Sequence, residues 1–341
     1  MIIEIKDKID FKNYEDFITH IPRSTFTSSS NHIKLLEKIL NLEPKYVIVE
    51  KDNEIKGIMP FFEKKNDLGL VINSLPFFGS HGGLISNDYE IDKMLISKFN
   101  EYANENDVLS SVVISNPFVK NNTIYENYLN HNHVEKRFTQ CTVLENENSE
   151  SMWKKFEKRT RWTIRKCEKN LIHVYKSPIT SELSSNFYEI YKIGMKIKKG
   201  RLKPSNFFEH VKNNFIFDKD YAVFVAEKNS LPIAYLLVFY HYPFAEYYMP
   251  AFDKNYSNYN ATSMLIWKSI EDSLSKKLKF YNFGGTLIDQ HSLYLFKRNW
   301  GSSDFYYNYY INANLERIKS VELDNLKSMY ENFYVFSFSQ L

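Results

Sequence analysis

Two segments of the chain, "YVIVEKDNEIKGIMPFF" (Tyr46–Phe62) and "YAVFVAEKNSLPIAYLLVFY" (Tyr221–Tyr240), follow one pattern. Each holds an apolar run rich in β-branched and aromatic residues, a polar interruption, and a second apolar run. That pattern predicts a hairpin, with turns at Lys51–Glu54 and Glu227–Ser230. Strands this apolar need cover on both faces, so helices must lie on each side of the sheet. Each hairpin also follows helical segments and precedes a glycine-containing loop, "NSLPFFGSHGGLIS" in the first case and "FYNFGGT" in the second. The echo predicts two related α/β halves. A chain of 341 residues is long enough to bury two cores.

In the first half, the pattern predicts a strand at Ile2–Ile5 and helices at Tyr14–Ile21 and Ser30–Leu42, with Ser30 as N-cap. After the hairpin come a strand near Leu70–Leu75, a glycine loop at Gly79–Gly83, a helix over Glu90–Glu105 and the strand "SSVVIS". The polar stretch "ENENSE" (Glu145–Glu150) marks the boundary, giving domains 1–147 and 148–341. The second half opens with one helix, "ESMWKKFEKRTRWTIRKCEKN", whose Trp153, Phe156, Thr160, Ile164 and Cys167 fall near helical spacing. The strand "IHVYK", a helix from Ser181 to about Lys199, the second hairpin and the strand "FAEYYMPAF" follow. A helix begins near Ala261, with Met264, Leu265, Trp267, Ile270 and Leu274 inward.

Charge divides the halves. Residues 1–150 carry 16 Lys+Arg and 23 Asp+Glu, a net −7; residues 151–341 carry 28 and 18, a net +10. A basic half invites an anionic partner or is simply a solvated basic face. The two cysteines, Cys141 and Cys167, fit a reducing compartment. The opening "MIIEIKDKID" has no apolar targeting core, and the longest apolar run, Ile233–Tyr240, is too short to span a membrane. These features predict a cytoplasmic protein. No phosphate-cradling glycine motif, CxxC pair or nucleophile elbow occurs, and His131 and His133 lack companion ligands, so no metal is expected.

The stretch Phe280–Tyr310 carries the most chemistry. A strand ends in Gly284–Gly285, a short helix presents Lys297 and Arg298 side by side, and a tyrosine-rich strand follows. Asp289 is placed to cap the helix and Gly301 to end it. Leu293, Phe296 and Trp300 share a face, which sets Lys297 at its margin, its stem packed and its ammonium at the sheet edge.

These residues resemble a known family. "YNFGGT…LYLFKRNWG" is similar to the closing motif of the FemAB-like transferases, which carry a "DFGG" strand end and an "FKR" helix. "EYYMPAFDKNYSNYNATSMLIWKSIEDS", "RTRWTIRKCEKNLIHV" and "LPFFGSHGGLIS" resemble further segments of that family. The resemblance implies two tandem GNAT-like domains, with mixed sheets covered by helices and the FKR motif in the second. It implies transfer of an acyl or aminoacyl group onto an amine of a cell-envelope precursor, peptidoglycan or surface polysaccharide. The alternative is an acetyl-CoA-dependent N-acetyltransferase acting on an amino sugar, and a reading of another class is a nucleic-acid-binding module built on the basic helix.

By resemblance, Lys297 stabilises charge at the reacting carbonyl and Phe296 shapes the acceptor channel. Arg298, Gly284 and Gly285 are expected to bind substrate with Phe296. Read from spacing, Arg161 and Arg165 share a helix face that binds phosphates of a nucleotide-linked acceptor or tRNA, or is simply solvated, and Tyr256 is a candidate to line the cleft. Glu246 and Asp253 are candidate bases. No tightly bound cofactor is implied; the donor is aminoacyl-tRNA or acyl-CoA. The implied partners are a small-molecule, nucleotide- or lipid-linked acceptor, tRNA, and a peripheral membrane contact. Acyl-CoA enzymes of this fold carry a glycine-rich loop where this chain has "DKNYSNYNAT", leaving Asn260 to cap the helix, and Asn282 stands where many members have Asp.

Overall fold

Both predicted hairpins form, and both close on two residues in left-handed backbone: Asp52 and Asn53 (φ 55 and 64) in one, Asn229 and Ser230 (φ 51 and 63) in the other. Two consecutive positive φ values make the tight turn whose twist matches its flanking strands. The computed structural model describes residues 1–77, 81–198, 200–287 and 289–337. Gly79 of the expected glycine loop and Lys199 at the expected helix end lie outside them.

Along the chain the elements begin with β1 (Ile2–Lys6), α1 (Phe11–Thr19), α2 (Ser30–Leu40), β2 (Lys45–Lys51), β3 (Glu54–Asn66), β4 (Gly69–Asn73), β5 (Ile85–Ser86), α3 (Tyr89–Glu105), β6 (Val108–Ile114), α4 (Asn122–Tyr128) and β7 (His133–Val143). They continue with α5 (Ser149–Lys155), α6 (Lys158–Lys169), β8 (His173–Ser177), α7 (Ser181–Ile197), α8 (Phe207–Asn214), β9 (Tyr221–Lys228), β10 (Leu231–His241) and β11 (Phe244–Phe252). Last come α9 (Ala261–Ser275), β12 (Phe280–Gly285), α10 (His291–Arg298), β13 (Ser303–Ala313), α11 (Leu315–Lys319) and α12 (Leu323–Met329).

The chain forms two compact units. The first is Met1–Phe138 with Phe305–Leu341; the second is Thr139–Asp304. In the first, strands run β1-β2-β3-β4-β6-β13, antiparallel except for the parallel pair β4/β6. In the second they run β8-β9-β10-β11-β12-β7, antiparallel except for β11/β12. The plan is the same: four antiparallel strands, a helix (α3 or α9), a parallel fifth strand and an antiparallel sixth. One face of the first unit packs Val47, Val49, Met59 and Phe61 with Ile91, Leu95 and Phe99 of α3. The corresponding core of the second packs Phe224, Leu236 and Val238 with Leu265, Ile266 and Ile270 of α9.

The expected linear division at 147/148 is not the partition the structure makes. Residues 305–341 belong with the first unit, because β13 pairs with β6 from Tyr309↔Ile114 to Ala313↔Ser110 and because Ile318, Leu326, Tyr330, Phe333 and Val335 enter that unit's core. The helix expected over residues 150–170 is two helices. Phe156 turns extended (ψ 144) between α5 and α6, which buries its ring edge-on to Trp267 and Trp300. The cap of α2 is Ser29, whose side chain accepts from His32 N, rather than Ser30. Among the described residues, no helix is long and apolar enough to cross a membrane.

Candidate active site

The site is built where β11 and β12 part. Their parallel ladder runs only from Phe244↔Phe280 to Glu246↔Asn282. Beyond it β11 continues against β10 alone, after a bulge opposite Leu237/Val238. A bulge bends its strand and strengthens the local twist, so Tyr247–Pro250 of β11 make no ladder with the end of β12.

The end of β12 is shaped by Gly284, whose φ of +74 a side chain would strain. Both its carbonyl and that of Gly285 accept from one group: Lys297 Nζ donates to Gly284 O at 2.9 Å and to Gly285 O at 2.7 Å. Lys297 is 3% exposed, the one buried residue of α10. This corrects the expected face of that helix. Leu293 and Leu295 are exposed, Phe296 is half-buried against the core of the unit, and Trp300 is buried beyond the helix end. The lysine points inward because two carbonyls wait there, a stronger local demand than an apolar stripe one turn long. Asp289 makes no cap; the N-cap position is Gln290, without a side-chain cap bond, and its Oε1 accepts from Leu287 N instead. Gly301 is left-handed (φ +71) but lies one residue beyond the expected C′ position, because the C-cap is Asn299.

No acid faces Lys297 among the described residues, and burial lowers its pKa to about 7. An ammonium has three N–H donors. Two are used by the glycine carbonyls; the third has no acceptor among the described residues.

A second perturbed group adjoins the same strand. Packing around Glu246 pushes its carboxyl up to about 8, while a hydrogen bond from the Asn282 side chain opposes that rise. Asn282 is buried (1% exposed), and its Oδ1 accepts from Thr139 Oγ1 (2.7 Å) and Gly284 N (3.0 Å). Asn at this position therefore holds the glycine turn with its oxygen and a carboxyl with its nitrogen. An Asp would keep the first task and set two acids side by side. Two titratable groups shifted toward neutral at one strand end make this the candidate site. Spacing alone did not reveal the Asn282–Glu246 pair, because the two are neighbours only through strand register.

The structure gathers Lys297, Gly284, Gly285 and Phe296, and places the other expected residues elsewhere. Arg298 donates to Ser302 O (2.6 Å) and closes the turn after α10. Arg165 lies over the Trp153 ring (5.4 Å). Arg161 is partly buried one turn before it on α6. Tyr256 stacks on Tyr259 (6.2 Å between centroids) and packs against the core of the unit. Asp253 caps the short 3-10 turn after β11 by accepting from Asn255 N (2.9 Å). Asn260 precedes α9 in left-handed backbone, and its side chain does not cap the helix. No group of three His, Cys, Asp or Glu residues among those described is arranged to hold a metal ion.

Two units built on one mixed-sheet plan make the tandem GNAT-like fold, and the comparisons agree. The model of the FemAB family matches residues 126–229 and 222–303, just over half of the chain. The chain belongs to the FemAB family, and so to the enzymes that move an acyl or aminoacyl group onto a cell-envelope component. Among solved structures it is similar to FemX (TM-score 0.73, 14% identity, 96% of this chain and 100% of that one). It is also similar to L-PGS from Bacillus licheniformis (TM-score 0.56, 9% identity, 95% and 96% covered) and to a tandem GNAT protein from the clavulanic acid biosynthesis pathway (TM-score 0.53, 9% identity, 91% and 97% covered). No curated protein matches the chain significantly.

Proposed function

We propose that this chain forms an amide at the end of β12, joining an acyl or aminoacyl group to the amine of a nucleotide- or lipid-linked cell-envelope precursor. The amine nitrogen attacks the carbonyl carbon of the donor, and the carbonyl oxygen becomes anionic. The free N–H of Lys297 donates to that oxygen. The C–O bond of an ester donor, or the C–S bond of a thioester, then breaks; the nitrogen gives up a proton, and the leaving oxygen or sulfur takes one. Glu246, with a carboxyl held near neutral, is the group suited to accept the amine proton. Phe296 lines the approach of the acceptor. No covalent enzyme intermediate is needed, in keeping with buried cysteines whose thiols burial pushes up and away from reactivity.

One observation carries this reading: Lys297 is buried, fixed by two carbonyls and, among the described residues, opposed by no acid. Lys297→Met tests it. One preorganised donor at an oxyanion contributes roughly 3 kcal/mol, so turnover should fall about 10²- to 10³-fold while the fold persists. Unchanged turnover in the folded variant would defeat the proposal.

For the donor, aminoacyl-tRNA is the first reading. One feature favours acyl-CoA as the second: Asn260 puts no side-chain cap on α9, and although Ser263 N donates to Asn260 O, the N–H groups of Ala261 and Thr262 have no acceptor among the described residues and are open to a pyrophosphate. Thermal shift with CoA, set against a non-hydrolysable aminoacyl-tRNA analogue, separates the two.

A further inference from the structure

The helix α6 buries Thr160, Ile164 and Cys167. At about 3.6 residues per turn, the opposite pole of the helix carries Lys158, Trp162, Arg165, Lys166 and Lys169. Trp162 is 60% exposed, and Lys166 Nζ sits 5.6 Å from its ring centroid. Of the four tryptophans, Trp267 and Trp300 are buried and Trp153 is partly buried against them. The two acids near this helix, Glu157 and Glu168, fall on one flank. Lys154 and Lys155 of α5 are paired with Glu150 and Glu147, but none of the cations on the outer pole has a carboxylate partner among the described residues.

Just past the end of this helix stands Leu171, 79% exposed, in left-handed backbone at φ 54. The position after a C-cap is where glycine or asparagine relieves strain. A leucine there pays in conformation and gains nothing by burial. Lys228 Nζ donates to Asn170 O (2.5 Å), which brings the β9–β10 turn, followed by the half-exposed Leu231, to the same end. A convex pole with one tryptophan among cations, and two leucines held out at its end, has the chemistry of a peripheral membrane surface. Indole sits well at the headgroup level, aliphatic chains enter below it, and Lys and Arg meet anionic lipid. A nucleic acid would find the cations and the indole but no use for the leucines.

We infer that the outer face of α6, with Leu171, docks the protein on an anionic lipid bilayer. This deepens the proposed transfer reaction, since it rests on a lipid-linked acceptor being met at that surface; the binding itself does not depend on turnover.

The test uses the full chain and vesicles of phosphatidylcholine with and without phosphatidylglycerol. Expected are co-sedimentation only with the anionic vesicles, loss of binding at high salt, a blue shift of tryptophan emission, and quenching by brominated acyl chains that Trp162→Phe removes. Lys158→Glu with Lys169→Glu should weaken binding by about tenfold or more. Leu171→Gly relieves backbone strain, so it should melt no lower than the parent yet bind vesicles more weakly. Equal binding to neutral vesicles, no binding, or an unquenched Trp162 overturns the inference. So does a tRNA that protects Trp162 from quenching by iodide while vesicles do not. Lys297→Met should bind vesicles as the parent does, so a failure of the catalytic proposal and a failure of this one give different results.

Discussion

Each unit contains a parallel strand pair at the same place in its plan, and the two pairs end differently. In the first unit the β4/β6 ladder runs to Asn73↔Val112, and the gap beyond it is sealed. Ser74 N donates to Val112 O, Ile114 N to Ser74 Oγ, and Gly82 N to Ile114 O. Gly82 is packed so closely that a Cβ would meet Ser74 O at 2.3 Å. From one face the C-terminal segment adds two bonds: Asn73 Oδ1 accepts from Tyr334 N (2.7 Å), and Asn73 Nδ2 donates to Tyr334 O (2.8 Å). In the second unit the equivalent gap carries Glu246 and Lys297 instead. The lesson is that one sheet plan can end as structure or as a site. The groups that close the first gap, Ser74, Gly82 and Asn73, do not titrate; those at the second, Glu246 and Lys297, do, although Lys297 also bonds two backbone carbonyls.

The sharpest way to break this comparison is Lys297→Met, which should cost turnover its full 10²- to 10³-fold, about 3 kcal/mol, without unfolding the chain. The same variant has a stability signature. The folded lysine titrates near 7 and the unfolded one near 10.5. Between those values the unfolded chain holds the extra proton, so the parent gains stability as pH rises from 7 to 10.5. Lys297→Met should lack that slope when melting temperature is followed against pH.

Next in size is Glu246→Gln, expected to lower turnover about 10²-fold. Glu246 accepts a proton readily only above about 8 and Lys297 is charged only below about 7, so the parent rate should peak between those values. The glutamine variant should lose the rise on the acid side, read from kcat/KM against pH. In the sealed gap the effect should move from activity to stability. Asn73→Leu removes both part-buried bonds to Tyr334 and the bond to Ile72 O, and leaves Tyr334 N and O unpaired, at a cost of about 2 kcal/mol, seen in denaturant titration with turnover per folded molecule unchanged. The smallest expected effect is Gly284→Ala, about 1 kcal/mol of backbone strain, with a modest loss of turnover as the carbonyl turns from Lys297.

Much of this was legible beforehand. The hairpins, their turns and the α3 and α9 helices follow from alternation and apolar spacing, which act locally. The motif around Lys297 was legible because its parts lie within about one strand–helix unit. What escaped depended on distant pairing. The tyrosines of β13 read as a strand, but nothing local says that Tyr309 pairs with Ile114. The burial of Lys297 in place of Leu293 needed the carbonyl positions of Gly284 and Gly285, which only a left-handed turn creates. The break at Phe156 escaped because both helices keep a helical stripe and differ only in direction.

The sixth strand of the first unit, β13, lies beyond the whole of the second unit in sequence. During synthesis on the ribosome, then, the half of the protein that begins first is finished last. The second unit has all of its strands once Asp304 has emerged. The amino-terminal half must wait, with the β6 edge open, for residues 305–313 to arrive. Nascent chains halted between those two points should yield to protease at the amino-terminal half and resist at the other.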